Sequence, residues 1–315
     1  MAHCGNCQRD TEREGWQAPR RADHCNHLHA GGDDHLHRCH SRYSVEASLE
    51  HPCFFSPVIG SDGAVALFLQ HDILVQIHPT GSIRLINRRN RAVVGMSSPA
   101  FGGTLYIEHP CVAKMEYCTG VVSLALEKIL PTDVFAKITK RGCLFTMINH
   151  GLVYLVDNSG VKSTTESFVI LSDDLPKRYF YNGSSKPTET DFLECEALIS
   201  SCRNYTTNVG TVVWIVDQIR IKQSTDGTVN VHGTLGDTRI CLTTSPSEDV
   251  GLKFGDDLRV SMRCPVTGAS PMDSSLKYLD LTRGRVRLTA DRRGFHARNG
   301  SHAAGFDTAM KFKLE

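Results

Sequence analysis

Apolar residues recur at every second position in short runs along most of this chain, and each run stops at a turn-forming residue. Ile73, Val75 and Ile77 precede Gly81, and Ile83 and Leu85 resume the alternation after it. Ile219 and Ile221 precede Gly227, with Val229 and Val231 beyond. A period of two predicts half-buried strands rather than helices. Pro79-Thr80 and Thr225-Asp226 tolerate the right-handed region, and the glycine after each supplies a left-handed residue. That order suits a type I turn closing a three-residue hairpin loop. A third copy around Gly160 has Leu152 and Tyr154 before it but Lys162 and Thr164 after it, which predicts an edge hairpin or a lead into a loop.

Further short runs follow the same rhythm. Gly63–Gln70 reads as a strand buried on both faces, and Thr104–Glu108, Val112–Tyr117 and Val121–Leu126 continue the series. Turn signals at His109-Pro110, Thr119-Gly120 and Arg141-Gly142 divide them. Val121–Leu130 also fits a short helix stopped by Pro131, and periodicity leaves both readings open. The clearest helix spans Thr188–Cys202. Thr188 or Thr190 can cap it, Glu189 and Asp191 complement its dipole, and Phe192, Cys195, Ile199 and Cys202 share one face with Leu198 beside them. Thr211–Val216, Thr238–Thr243, Leu258–Met262 and Val286–Leu288 are strands, with Trp214 a core anchor.

The fold class is therefore mostly β, with antiparallel hairpin and meander units of sandwich or barrel type and one or two short helices. The expected organisation is a disordered Cys/His-rich tail over 1–50, a β-rich unit over 51–182, a second over 188–300 holding the helix, and a flexible tail over 301–315. The polar stretch 182–187 divides the two units.

Composition refines this in three ways. Within 315 residues there are 35 basic and 34 acidic side chains, so no global field steers the chain to nucleic acid or anionic lipid. No apolar run approaches the roughly 20 residues of a membrane span, and the first residues lack a secretory core. A cytoplasmic protein is expected, with a nuclear one as the alternative, and the 12 cysteines are expected as thiols. The sequons at Asn182, Asn204 and Asn299 are then coincidental.

Candidate chemistry is sparse. Cys4-x2-Cys7 has the bite of one edge of a zinc site, and Cys25 and Cys39 with neighbouring histidines offer the other edge. The second edge has no fixed spacing and few apolar residues surround it, so the favoured reading is a solvated tail without a cofactor. Two basic segments are candidate phosphate contacts. Arg84, Arg88, Arg89 and Arg91 cluster after the first hairpin. Arg283, Arg285 and Arg287 would share one face if they lay along a single strand. A solvated edge strand explains both segments at least as well.

No phosphate loop, nucleophile elbow or paired cysteine–histidine context occurs. The carboxylate pairs Asp173-Asp174 and Asp256-Asp257 lie in turn-like surroundings. The sequence reading is thus a non-catalytic, protein-binding or scaffold module. A nucleic-acid binder using 84–91 and 283–298, and an enzyme without a signature motif, are the alternatives. Protein partners are expected, with no membrane.

Overall fold

The computed structural model describes residues 56–121, 123–147, 151–168, 170–181, 187–247, 249–264 and 277–314. The candidate zinc ligands Cys4, Cys7, Cys25 and Cys39, and the tail that holds them, lie outside the described residues. Residues Cys53–Glu315 form one compact unit.

A first group of twelve strands comprises β1 (Val58–Ile59), β2 (Val65–Leu69), β3 (Ile73–Ile77), β4 (Ile83–Asn87), β5 (Ala92–Met96) and β6 (Leu105–His109). It continues with β7 (Ala113–Cys118), β8 (Ser123–Ile129), β9 (Val134–Thr139), β10 (Gly142–Met147), β11 (Val153–Asp157) and β12 (Gly160–Thr164). Two helices follow, α1 (Leu175–Phe180) and α2 (Glu189–Ser201). The second group comprises β13 (Arg203–Thr206), β14 (Val212–Val216), β15 (Ile219–Gln223), β16 (Val229–Leu235), β17 (Thr238–Thr244) and β18 (Val250–Phe254). It ends with β19 (Leu258–Met262), β20 (Lys277–Arg283), β21 (Val286–Asp291), β22 (Gly294–Asn299), β23 (His302–Asp307) and β24 (Phe312–Leu314). Each group is one antiparallel sheet in which every strand pairs with its neighbours in sequence order.

The glycine hairpins close as their sequences require. The Gly81 amide donates to His78 O at 2.8 Å, the His78 amide donates to Ser82 O at 2.9 Å, and Gly81 has φ +88°. The loop from Ser224 to Thr228 repeats this geometry with Gly227 at φ +83°. At Gly227 there is also no room for a side chain, because a Cβ would stand 2.4 Å from the His71 ring of the other sheet. The hairpin at Gly160 differs. Asp157 and Gly160 flank a two-residue turn, and β12 is the last strand of its sheet.

The two sheets pack face to face in matching order: β4 lies over β17, β5 over β18, β10 over β22 and β12 over β23. Their inward residues make one hydrophobic cluster, from Leu67 and Val75 at one end to Phe145, Phe295 and Phe306 at the other. Polar side chains at the strand ends tie the sheets across the rim. Asn87 Nδ2 donates to Ser245 O at 2.9 Å, Asn299 Nδ2 donates to Val156 O at 3.3 Å, and Gln223 Nε2 donates to Gln70 O at 3.4 Å. Burial makes each of these bonds costly to leave unmade.

After β12 the chain returns along the outer face of the first sheet. The Leu171 amide donates to the buried Glu127 carboxylate at 2.8 Å. Leu171 and Leu175 pack with Val93 and Tyr106, and Tyr179 stacks on Tyr106 at 5.8 Å. Arg84 lies 4.3 Å from the Phe180 ring centroid and donates to Tyr181 Oη, whose hydroxyl donates to Asp62 at 2.6 Å. Helix α2 then packs on β1, β2 and β14. Thr188 caps it in a reciprocal pair with Asp191, and Cys195, Leu198, Ile199 and Cys202 face the core.

One expectation changes. Residues 301–315 were expected as a flexible tail, yet β23 and β24 occupy most of that span, with Phe306 buried and Phe312 packed on Tyr154 at 3.9 Å. Of the two readings open for Val121–Leu130, the structure shows the strand, as β8. The described cysteines are free thiols. Among the described residues no helix is long and apolar enough to cross a membrane.

Candidate partner-binding surface

On the second sheet the inward positions are large and apolar, so the outward positions of the same strands carry whatever the sheet shows to solvent. In β19, Leu258, Val260 and Met262 are buried, whereas Arg259 is exposed and Ser261 half-buried. The pairing register joins such outward residues across strands into rows. One row runs Arg220, His232, Cys241, Lys253, Arg259, Thr282, Arg287, Arg298 and Ala303, each paired with the next from β15 to β23. The row beside it runs Lys222, Asn230, Thr243, Gly251, Ser261, Asp280, Thr289, His296, Gly305 and Lys313. Adjacent strands lie about 4.8 Å apart, so the stretch from Lys253 to Arg298 covers about 19 Å.

The rows hold seven Lys or Arg side chains and one carboxylate, Asp280. Asp280 accepts from Arg287 Nε at 3.1 Å and Nη2 at 2.8 Å, and from Lys277 Nζ at 3.0 Å. Burial alone would raise this carboxyl, but the hydrogen bonds from Arg287 and Lys277 outweigh it and hold Asp280 below the usual carboxylate range. Arg298 Nε donates to Gly300 O at 3.0 Å. Among the described residues Arg220, Lys222 and Arg259 form no ion pair. His232, half-buried beside Arg220 and near Lys222, has its pKa lowered first by burial and then by Lys222 and Arg220.

Toward β24 the rows become concave. Ala303 and Gly305 leave β23 without bulk, and side chains of β21, β22 and β24 wall a depression of about 640 Å³. Arg287, Arg293, Arg298 and Lys313 line it together with Asp291 and Asp307, which pair with Arg293 at 3.0 Å and with Lys313 at 3.2 Å. It is open to solvent, a surface for an extended chain rather than an enclosed ligand.

The arginines singled out from sequence do not form this surface together. Arg283 ends β20 and turns inward. It is buried, lies 5.1 Å from the Tyr117 ring centroid, donates to Ile138 O at 3.4 Å and pairs with Asp257 at 3.4 Å. Gly284-Arg285 is a two-residue turn, and Arg285 is exposed there at the sandwich rim. Only Arg287 faces outward on the sheet. A spacing of two was counted across a turn, which is why the expected alignment fails. Arg88, Arg89 and Arg91 are exposed in the β4–β5 turn, with Arg88 over the Phe68 ring at 5.0 Å, and Arg84 is held beneath α1. Among the described residues no cluster of metal-ligating side chains occurs.

No family model matches the chain. No curated protein matches it either. Several solved structures share a distant likeness. The TCP10 domain of Danio rerio CPAP aligns at a TM-score of 0.27 and 11% identity over 62% of this chain and 87% of that one. The same domain in complex with a peptide of Danio rerio STIL gives 0.20 and 11% over 70% and 93%. The Drosophila melanogaster SAS-4 TCP domain, in complex with a proline-rich motif of Ana2, gives 0.15 and 10% over 87% and 96%. At this distance no family or role transfers, and what the surface binds is argued from its own residues.

Proposed function

We propose that the protein is a non-catalytic, cytoplasmic binding or scaffold module that engages a partner protein along the outer face of its second sheet. The observation that supports this reading is the asymmetry of the sandwich. Leu171, Leu175 and Tyr179 cover Val93 and Tyr106 on the outer face of the first sheet, whereas no described segment covers the second, whose outward rows run across ten strands. A single solvated face is ordinary for an antiparallel sheet. A face this long, ending in a concavity and carrying seven cations in its outer rows against Asp280 there and Asp291 and Asp307 in the wall of the concavity, is biased toward an anionic partner.

The test is photo-crosslinking in cells with a benzophenone amino acid in place of Ser261 or Thr289, both on the outer rows, and in place of Lys137 on the first sheet as the comparison. The reading expects a discrete protein adduct from Ser261 and Thr289 but not from Lys137. Adducts from all three positions alike, or none from the second sheet, would overturn it. Nucleic-acid adducts at Ser261 would instead favour the other class of partner.

A further inference from the structure

The partner-binding reading leaves the partner's chemistry open, and the outer rows narrow it. We infer that the strip from Lys253 to Lys313 takes an extended, acidic peptide segment lying across strands β18–β24; the inference rests on the proposed function above. Three observations carry it.

Charge is the first. Lys253, Arg259, Arg287, Arg298 and Lys313 are all exposed and belong to the two adjacent rows. Coulomb attraction for an anionic chain adds along such a strip, whereas each charge alone is largely screened. Lys253 reaches Asp256 only at 4.0 Å, Arg298 bonds to a backbone carbonyl, and Arg259 has no ion pair among the described residues, so these three are available.

The second is shape. The strip from Lys253 to Arg298 is about 19 Å long, which an extended peptide of about six residues spans. The depression at Ala303 continues it toward Lys313, giving the peptide a trough walled by Arg287, Arg298 and Lys313, the last paired with Asp307 at 3.2 Å. Side chains project from an extended peptide to alternate sides, so acids at every second position can meet the Arg row while polar residues meet Ser261, Thr289 and His296.

The third separates a peptide from a nucleic acid. Single-strand binders provide aromatic platforms on which bases stack. From β15 to β24 the two outer rows contain no Phe, Tyr or Trp, and among the described residues that line the trough His296 is the only ring. Asp280 lies within the strip, and Asp291 and Asp307 stand in the wall of the trough. A phosphodiester backbone, charged at each step, meets these carboxylates wherever it lies. A peptide can set a polar or basic residue opposite each of them.

The experiment measures fluorescence anisotropy of a labelled peptide of alternating glutamate and serine, with an oligouridylate of equal charge as the rival probe, using the full chain at low and physiological salt. Saturable peptide binding that falls with salt is expected, weakened by at least about tenfold in R259E/R298E and unchanged in R88E/R89E. If circular dichroism shows R259E/R298E unfolded, Arg259→Gln alone replaces it, because Arg259 holds no partner whose loss would unfold the sheet; a weaker but definite loss of affinity is then expected. Absent peptide binding, or binding equal in the outer-row variants and the wild type, overturns the inference. Tighter binding of the oligouridylate, lost in the same variants, overturns it in favour of nucleic acid. If the acidic peptide fails while Ser261 still crosslinks to a protein in cells, the partner-binding reading stands and only the acidic chemistry falls.

Discussion

Strand β5 of the first sheet is buried at all five of its positions, whereas β19 of the second alternates buried and accessible at each step. Both strands lie near the middle of a twelve-stranded antiparallel sheet, and both contribute to the same core. The difference is the segment that follows β12. It spreads Leu171, Leu175 and Tyr179 over Val93 and Tyr106, so the first sheet carries apolar residues on both sides. No described segment does this for the second sheet, whose outer rows consist of Arg, Lys, Thr, Ser, Asn, His, one Cys, one Asp and small residues. One face thus contributes to stability and the other is free to bind, so substitutions on the two faces should have different consequences.

The largest expected effect comes from stripping the covered face. Leu175 is fully buried against β5 and β6, and Leu175→Ala should destabilise the protein by about 2–5 kcal/mol through lost burial and the cavity left behind. Thr289→Ala, on the open face, should change stability by no more than about 0.5 kcal/mol. Urea denaturation of both variants checks the pair. Equal, small effects would mean that residues 165–181 are not needed to hold the first sheet.

An intermediate effect is expected where the sheets are tied to each other. Asn87 is fully buried, and its Nδ2 donates to Ser245 O at 2.9 Å and to Thr244 Oγ1 at 3.4 Å. Asn87→Ala leaves a buried carbonyl without its donor, at a cost of about 1–3 kcal/mol. Thermal unfolding should remain a single transition, because both sheets share one core. Two separated transitions would show that the sheets fold independently and that the rim bonds matter less than the packing suggests.

The legibility of this fold follows from the same contrast. Leu258-Arg259-Val260-Ser261-Met262 announces a strand because one face is buried and the other wet. Where both faces are buried, as in Ala92–Met96, the period of two disappears and only β-branched content remains. The ambiguity over Val121–Leu130 has a local cause. The register of β8 shifts between Leu126 and Ile129, with Lys128 at φ +58°, so the apolar spacing there imitates a helix. Residues beyond 300 were misjudged because Ala303, Ala304 and Gly305 carry little strand signal, although Phe306 and Phe312 anchor them to Phe145 and Tyr154. The cation row was invisible for another reason. Arg220, Lys253, Arg259, Arg287 and Arg298 come from five different strands, and only the pairing register makes them neighbours. By contrast, Arg283, Arg285 and Arg287 are close in sequence and were grouped, yet a turn sends the first inward.

The smallest expected effect probes the electrostatics of the open face itself. His232 stands beside Arg220 in the cross-strand row, with Cys241 on its other side, and Lys222 is near. Partial burial comes first and these two cations second in lowering its pKa below the ordinary value near 6.5. The unfolded chain therefore takes up the proton at a higher pH than the folded one. Since stability rises with pH wherever the unfolded state binds more protons, the neutral ring's contribution is complete above about pH 7 and is lost as pH falls below about 6.5 toward the folded value. His232→Gln removes this component, so the variant should lose less stability than the wild type between about pH 7 and pH 5. Reversing Arg220→Glu should narrow the same difference by replacing a repelling charge with an attracting one. Denaturation midpoints across that pH range measure both. A pH dependence unchanged in Arg220→Glu would show that the cation beside His232 exerts no field on it at the sheet surface.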